Sequence, residues 1–522
     1  MQPSILIKIC LLVLMGNSVW GDDQRPNFLF ILTDDQSQET LSCYGNKVCQ
    51  TPNLDQLAAQ GMVVQDAHHM GAWAGAVCRP SRTMIMTGRH VWNIPGNRAV
   101  EVESPPNFLE TAAENSMAAV FNRAGYDTFR TCKKGNSYPQ ANAKFDIVRD
   151  ATKRGDAAES GSSWHADQVL DYLEQRSLEK DTDPFLIYFG LSHPHDPRRA
   201  LPELARKYGA TNDDAPLEKP NPKAPPLPVN WLPEHPFHHG HPELRDEVSV
   251  PGVGRRRDEA TVRNELGREY ACIENIDRQV GRVIQQLEVM GELENTYVIF
   301  TSDHGIAVGR HGLMGKQNLY EHTWRVPFIV RGPGVQAGST ASGFIYLSDV
   351  LPTLCDLAGI DIPDEVDGKS FRPVLEGDED RVREVVYGVY CGGTKPGMRS
   401  IKTSDGWKLI EYNVLGKEVR ETQLFNLTAN PHELIDEHHC PVIAPQVEAK
   451  QGRSLGNEQR NLAYHPGYQA KRKEMASLLA YEMKQLGDPY DLQGAYSKEM
   501  PKRPNQRKKP PKKSSGSGRA GN

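Results

Sequence analysis

Tyr297-Val298-Ile299-Phe300-Thr301-Ser302-Asp303-His304 is the stretch on which the fold turns. Four consecutive apolar residues give way at once to polar ones, a run too short for an ordinary helix. Continuous apolar runs of this length suit central strands covered on both faces. Three other segments have the same form: Phe28–Leu32 before Thr33-Asp34-Asp35, Pro184–Leu191 before Ser192-His193-Pro194-His195, and Val326–Val330 before Arg331-Gly332-Pro333. All four read as buried parallel strands. Helical patterns lie between them at 53–60, 108–124, 165–176 and 265–290. In the last, Cys272, Ile276, Val280, Val283, Ile284 and Leu287 make a helical stripe. The alternation predicts an α/β domain, a large mostly parallel (mixed) sheet sandwiched by helices.

Residues 22–380 read as this domain. It is interrupted at about 209–260 by a Pro- and His-rich insertion too long for an ordinary connector. From 381 to 490 the pattern changes to short alternating strands (385–390, 399–403, 407–412, 422–426) and a helix near 471–486. These predict a smaller C-terminal domain of antiparallel sheet plus helix. Residues 1–21 resemble a secretory signal: Lys8, a short apolar core from Ile9 to Met15, then Val19 and Gly21 at cleavage-site positions. That core is too short to span a bilayer. The expectation is an exported protein, periplasmic or secreted, with no membrane span; a mean hydropathy of −0.58 agrees. Nine cysteines, eight after signal removal, are too sparse for a disulfide scaffold in a chain of 522 residues, although Cys43 and Cys49 could close a small loop. The net charge of −6 hides a basic end. Residues 501–522 hold eight Lys or Arg and no acid, leaving −14 for the rest. The tail reads as disordered, either a solubilising end or a polyanion tether, and the acidic body argues against nucleic acid as a partner.

In an open α/β sheet, ligands bind beyond the carboxyl ends of the strands. Asp34-Asp35 and Asp303-His304 fall there on two different strands. An Asp after a strand is often just a helix cap, but three carboxylates brought together need a cation. Oxygen donors favour a hard divalent ion, Ca²⁺ or Mg²⁺. The most specific segment is Cys78-Arg79-Pro80-Ser81-Arg82-Thr83-Met84-Ile85-Met86-Thr87-Gly88-Arg89. Pro80 suits a first helical turn and Gly88 its end, which places Cys78 at a helix N-terminus, where backbone N–H groups favour anions. The irregular spacing of His235, His238, His239 and His241 argues against zinc and for a substrate-facing loop.

The Cys-x-Pro-Ser-Arg…Thr-Gly run resembles the signature of the type I sulfatases of the alkaline phosphatase superfamily, and bacterial carbohydrate sulfatases in particular. The likeness covers roughly residues 25–490. It implies that Cys78 is oxidised to formylglycine by a formylglycine-generating enzyme. One Ca²⁺ would be held by Asp34, Asp35, Cys78, Asp303 and His304. Gly125-Tyr126-Asp127-Thr128…Lys133 places Lys133 on the family's first active-site lysine. His195 falls on its site histidine, and Gly312-Leu313-Met314-Gly315-Lys316 places Lys316 on the second lysine. Leu424-Phe425-Asn426-Leu427…Asn430-Pro431-His432-Glu433-Leu434 resembles its small-domain hairpin. Gly135 stands where a site histidine is common, a departure that removes one contact.

The implied reaction is sulfate-ester hydrolysis on a sulfated carbohydrate. The hydrated aldehyde supplies the nucleophile and the hydroxyl that expels sulfate, Arg82, Lys133 and Lys316 neutralise the transferring group, and His195, with Lys316 able to share the role, protonates the leaving oxygen. Arg89 and His311 are expected substrate contacts. The Asn230–Phe237 segment resembles bacterial carbohydrate sulfatases, some of which act on galactose-type sugars, and suggests galactose or N-acetylgalactosamine sulfate. Two alternatives stand beside this reading: phosphate or phosphonate ester hydrolysis on the same fold, and a catalytically silent polysaccharide-binding protein.

Overall fold

The computed structural model describes residues 25–492, apart from 74, 98–100, 102–103, 136, 153–160, 239–252, 254–255 and 392–395. The signal-like segment, the basic tail, His239 and His241 lie outside the described residues. A nine-stranded mixed sheet forms the centre of the α/β region. Its order runs Ser339–Tyr346, Met62–His68, Phe328–Arg331, Thr296–Ser302, Asn27–Asp34, Phe185–Pro194, Asp127–Thr131, Ile147–Val148, with Arg325–Val326 on the flank of Met62–His68. From Thr296–Ser302 to Ile147–Val148 every pairing is parallel.

The alternation of side chains along the middle strands builds a core on each face. Phe28, Phe30 and Leu32 point to one side with Tyr188, Ile299, Phe121 and Leu351. Leu29 and Ile31 point to the other with Ile187, Phe300, Ile273, Ile276 and Val280. All these side chains are buried, each contributing about 1.5–3 kcal/mol. The second core rests on the helix Glu259–Met290, whose N-cap Asp258 accepts a hydrogen bond from the Thr261 amide and whose C-cap Gly291 is left-handed.

Two expectations are corrected. Val326–Val330 is not a parallel strand: Pro327 splits it into Arg325–Val326 and Phe328–Arg331, and the second piece runs antiparallel between Thr296–Ser302 and Met62–His68. Proline has no N–H for a ladder, and the Pro327 carbonyl accepts from the Thr301 hydroxyl instead. The helix expected over 108–124 is two, Phe108–Glu114 and Met117–Arg123, because Ser116 takes an extended backbone and starts the second.

The C-terminal strands Val385–Tyr390, Gly397–Thr403, Trp407–Val414 and Val419–Asn426 form an antiparallel sheet packed on the helix Gln469–Gln485. Gly71–Ala72, from far upstream, joins this sheet in parallel beside Val385–Tyr390. All eight cysteines among the described residues are free thiols, Cys43 and Cys49 included. No described helix is long and apolar enough to cross a membrane.

Candidate active site

Parallel pairing brings the expected residues to one edge. Thr33 is in register with Ser302 and Asp34 with Pro194, so Asp34-Asp35, His195 and Asp303-His304 leave three adjacent strands together. Lys133 follows the next strand, Asp127–Thr131, and bridges to Ala151. Asp35 adopts φ +70°, and its amide donates to Asp303 Oδ1 at 3.2 Å.

The helix Cys78–Thr87 starts at the cysteine and ends at left-handed Gly88, as its Pro80 and Gly88 predict. Ser81 Oγ donates to the Asp303 carbonyl at 2.6 Å, tying the helix to the strand end. Arg82, one turn in, divides its guanidinium three ways: Nε to Asp303 Oδ2 at 2.8 Å, Nη2 near Asp34 Oδ1 at 3.4 Å and Nη1 to Cys132 Sγ at 2.9 Å. Cys78 Sγ lies 3.1 Å from His304 Nε2 and 3.5 Å from Lys316 Nζ. Lys316 Nζ reaches both oxygens of Asp35 at 2.7 Å, and Lys133 pairs with Asp34. These ten residues, from five separate segments of the chain, are all buried.

Enclosure makes the charges interact strongly. Burial alone would raise the Cys78 thiol, but the Lys316 ammonium and His304 ring hold it well below its usual value. Burial and the Asp34 carboxylate push Asp303 to about 6, against His304 and Arg82. Burial works against a charged His304 and His195. The Asp303 carboxylate nonetheless lifts His304 to about 9, and the Asp35 carboxylate lifts His195 to about 10. Asp34 stays well below its usual range because Lys133 and Arg82 outweigh its burial.

The residues present fit a hard divalent cation. Ligand atoms of Asp34, Cys78, Asp303 and His304 lie within 4.8 Å of one another, as do those of Asp34, Asp35, Cys78 and His195. Asp34 is fully buried with Lys133 at one oxygen and Arg82 3.4 Å from the other, and no neutral donor among the described residues completes its shell; its convergence with the other donors suits carboxylates that serve an ion.

Two expected contacts are not brought to this cluster. Arg89 lies beyond the far end of the Cys78–Thr87 helix, with its guanidinium over the Phe108 ring at 5.3 Å. His311 is fully buried and stacks on Tyr320 at 3.9 Å, while its Nε2 contacts the Glu433 carbonyl at 2.9 Å. In the insertion, Asn230 Nδ2 donates to the His432 carbonyl, Trp231 Nε1 to the Arg257 carbonyl, and His235 Nδ1 contacts the His311 carbonyl. This part of the expected substrate-facing loop is engaged in packing. Sequence reasoning missed Asp196, whose Oδ1 lies 2.8 Å from His195 Nδ1, and Cys132, which only the fold places against Arg82. Adjacency to His195 was the available signal for Asp196. Gly135 adopts φ +94°, with open space where a Cβ would stand.

Known proteins resemble this chain in sequence and in fold. A family model described as Sulfatase matches residues 26–360, and one described as N-sulphoglucosamine sulphohydrolase, C-terminal, matches 309–454. An N-acetylglucosamine-6-O-sulfatase from Bacteroides thetaiotaomicron is 25% identical over 488 residues, covering 79% of this chain and 82% of that protein. A solved protein in complex with its substrate D-glucosamine-2-N,6-O-disulfate superposes with a TM-score of 0.64 at 22% identity, over 89% of this chain and 99% of that one. A phosphonate monoester hydrolase from Silicibacter pomeroyi gives 0.61 at 19% identity, over 88% and 96%. With the family match covering well over half of the chain, the protein belongs to the sulfatase family and is a sulfuric ester hydrolase of the bacterial carbohydrate sulfatase type.

Proposed function

We propose that the protein is an exported sulfatase, periplasmic or secreted, that hydrolyses sulfate esters of a sulfated carbohydrate through formylglycine at residue 78 and one bound Ca²⁺. The observation that carries this reading is the position of Cys78. It begins a buried helix within hydrogen-bond reach of His304 and Lys316 and shares a donor cluster with Asp34, Asp35 and Asp303. Asp34, Asp35, Asp303 and His304 would hold the ion, which supplies Lewis-acid polarisation of the sulfate and of the residue-78 nucleophile.

The protein's own residues carry the rest. Arg82, Lys133 and Lys316 present three fixed cations where negative charge must be held, and burial strengthens each. The same enclosure excludes water from the reacting group. His195, charged through its carboxylate neighbours, is the proton donor to the departing oxygen.

Cys78→Ala is expected to lower sulfate-ester hydrolysis by about 10⁴-fold or more, as loss of a nucleophile does, with an unchanged circular dichroism spectrum. Full activity in that variant would overturn the reading. Intact-mass analysis of the Cys78 peptide, from protein coexpressed with a formylglycine-generating enzyme, is expected to show the aldehyde. A thiol in natively expressed protein favours the silent polysaccharide-binding alternative. The likeness to a phosphonate monoester hydrolase supports the other alternative, and faster turnover of aryl phosphate or phosphonate than of aryl sulfate would favour it. The relative named for N-acetylglucosamine 6-O-sulfate supports that sugar, whereas the 230–237 insertion suggests galactose or N-acetylgalactosamine sulfate. A panel of sulfated saccharides separates them.

A further inference from the structure

The segment that carries His195 is anchored at both ends. Ser192 Oγ lies 2.8 Å from Nε2 of His165, which contacts Thr131 Oγ1 through its other nitrogen at 2.8 Å. Six residues on, Arg198 Nη1 pairs with Glu265 Oε2 at 3.0 Å, and the Arg198 amide donates to the His195 carbonyl at 3.2 Å. All of these side chains are buried. The backbone under His195 is therefore held by contacts to neighbouring elements, which leaves the ring's own torsions to be set.

Asp196 sets it. His195 Nδ1 lies 2.8 Å from both the backbone carbonyl and the Oδ1 carboxylate oxygen of Asp196. Two acceptors on one ring nitrogen require that nitrogen to carry a proton. Turning the ring over would set a C–H against the carboxylate and lose both contacts. The ring also borders the cluster: a His195 nitrogen lies within 4.8 Å of oxygens of Asp34 and Asp35 and of Cys78 Sγ. With Nδ1 committed, Nε2 is the nitrogen left to a ligand. A carboxylate that orients a working imidazole in this way is a general device of acid–base sites.

We infer that Asp196 is a positioning residue that fixes the His195 ring so that Nε2–H is delivered to the leaving oxygen of the ester. The inference rests on the sulfatase reading above and deepens it. As sulfur gains its bond to the nucleophile at residue 78, its bond to the leaving oxygen breaks and the electron pair stays on that oxygen. The Nε2 proton moves to the same oxygen, leaving a neutral imidazole whose Nδ1–H still rests on Asp196. Solvent returns the proton between turnovers. Orientation by Asp196 matters in proportion to the help the departing oxygen needs.

That proportionality gives a test that general damage to the fold does not imitate. Matured wild type, Asp196→Asn, Asp196→Ala and Asp196→Glu are compared on a series of aryl sulfates running from good to poor leaving phenols. For Asn and Ala, kcat on the poorest leaving group is expected to fall about 30- to 100-fold, within the range of general acid catalysis. On nitrophenyl sulfate the fall is expected to be under about 3-fold, with KM unchanged, and Glu restores part of the loss. In a His195→Gln background, Asp196→Asn is expected to add nothing. Equal losses across the series, or a full additional loss in that background, would overturn the assignment.

A turnover-free reading comes from the ring N–H proton region of the NMR spectrum. Wild type is expected to show a downfield resonance that His195→Gln removes and that Asp196→Ala removes or moves upfield. The same resonance, unmoved in Asp196→Ala, also overturns the assignment. Failure of the sulfatase reading looks different: matured wild type then hydrolyses no sulfate ester in the series, and the assignment falls with it.

Discussion

Two buried clusters of acids and bases sit a few residues apart in this protein and are built to opposite ends. One is the site around Cys78. The other joins the two sheets: Lys402 Nζ contacts Asp66 Oδ1 at 2.5 Å and Glu321 Oε2 at 2.8 Å, and Lys408 Nζ contacts Glu321 Oε1 at 2.9 Å and Glu433 Oε1 at 2.7 Å. The Glu321 amide donates to the other oxygen of Glu433 at 2.6 Å. In this clasp both Glu321 oxygens meet an ammonium. Burial would raise Glu321, yet Lys402 and Lys408 hold it well below the usual range. At the site, by contrast, ligand atoms of Asp34, Cys78, Asp303 and His304 converge within 4.8 Å of one another, and Asp303 is pushed to about 6. Similar residue types thus give a joint closed by lysines in one place and, on the function proposed above, a cation centre in the other. The difference lies in pairing geometry, not composition.

The largest effect is expected from breaking the clasp. Glu321→Ala leaves two buried ammonium groups with one carboxylate each, and removing one partner from a buried ionic network costs about 3–5 kcal/mol. Urea denaturation at neutral pH measures it. A loss under about 1 kcal/mol would put the clasp in the class of surface pairs and dissolve the contrast.

The site is expected to respond to an ion where the clasp does not. Ca²⁺ at a thousand-fold excess over its dissociation constant is expected to stabilise the fold by about 4 kcal/mol, read as a rise in Tm that a chelator reverses. Asp303→Asn is expected to abolish the rise and Glu321→Ala to retain it. A Tm indifferent to Ca²⁺ and Mg²⁺ would leave the converging donors of Asp34, Cys78, Asp303 and His304 without the role proposed for them.

The two clusters also differ in how far the sequence exposes them. The site is legible because its residues follow strand ends or lie in one dense run, Cys78 to Gly88; parallel pairing then does the assembly. The clasp is not. Lys402 and Lys408 stand 81 and 87 positions from Glu321, and on antiparallel strands a lysine ordinarily reads as a solvated charge. Met62–His68 escaped notice because Gln65, Asp66 and His68 interrupt its apolar pattern, leaving only Met62, Val63, Val64 and Ala67 as buried apolar positions. Phe328–Arg331 was legible as a strand but not in its direction, which the insertion between two other strands decides. Arg89 and His311 looked like anion contacts by type alone, and their packing against Phe108 and Tyr320 is a tertiary fact.

Glu269 supplies a third way to neutralise a buried carboxylate and the smallest of these effects. It lies on the helix Glu259–Met290, fully buried, with neither oxygen hydrogen-bonded among the described residues. The nearby Arg310 and Arg198 are spent on Glu39 and Glu265, at 2.8 and 3.0 Å. Burial therefore pushes Glu269 to about 7, against those two arginines and with help from Glu39 and Glu265. Where the clasp uses an ammonium and the site is proposed to use an ion, this group keeps a proton. Below pH 4.5 the folded and unfolded chains both hold that proton. Between pH 4.5 and 7 only the folded chain holds it, so stability falls as pH rises, and above 7 the loss is complete at about 3 kcal/mol. Glu269→Gln carries no titrating group. It is expected to match wild type near pH 4, to gain on it through that window, and to exceed it by about 3 kcal/mol at pH 8 in urea denaturation. A difference that does not change with pH would mean that Glu269 is ionised in the folded chain, paired with an arginine as the clasp residues are paired with lysine.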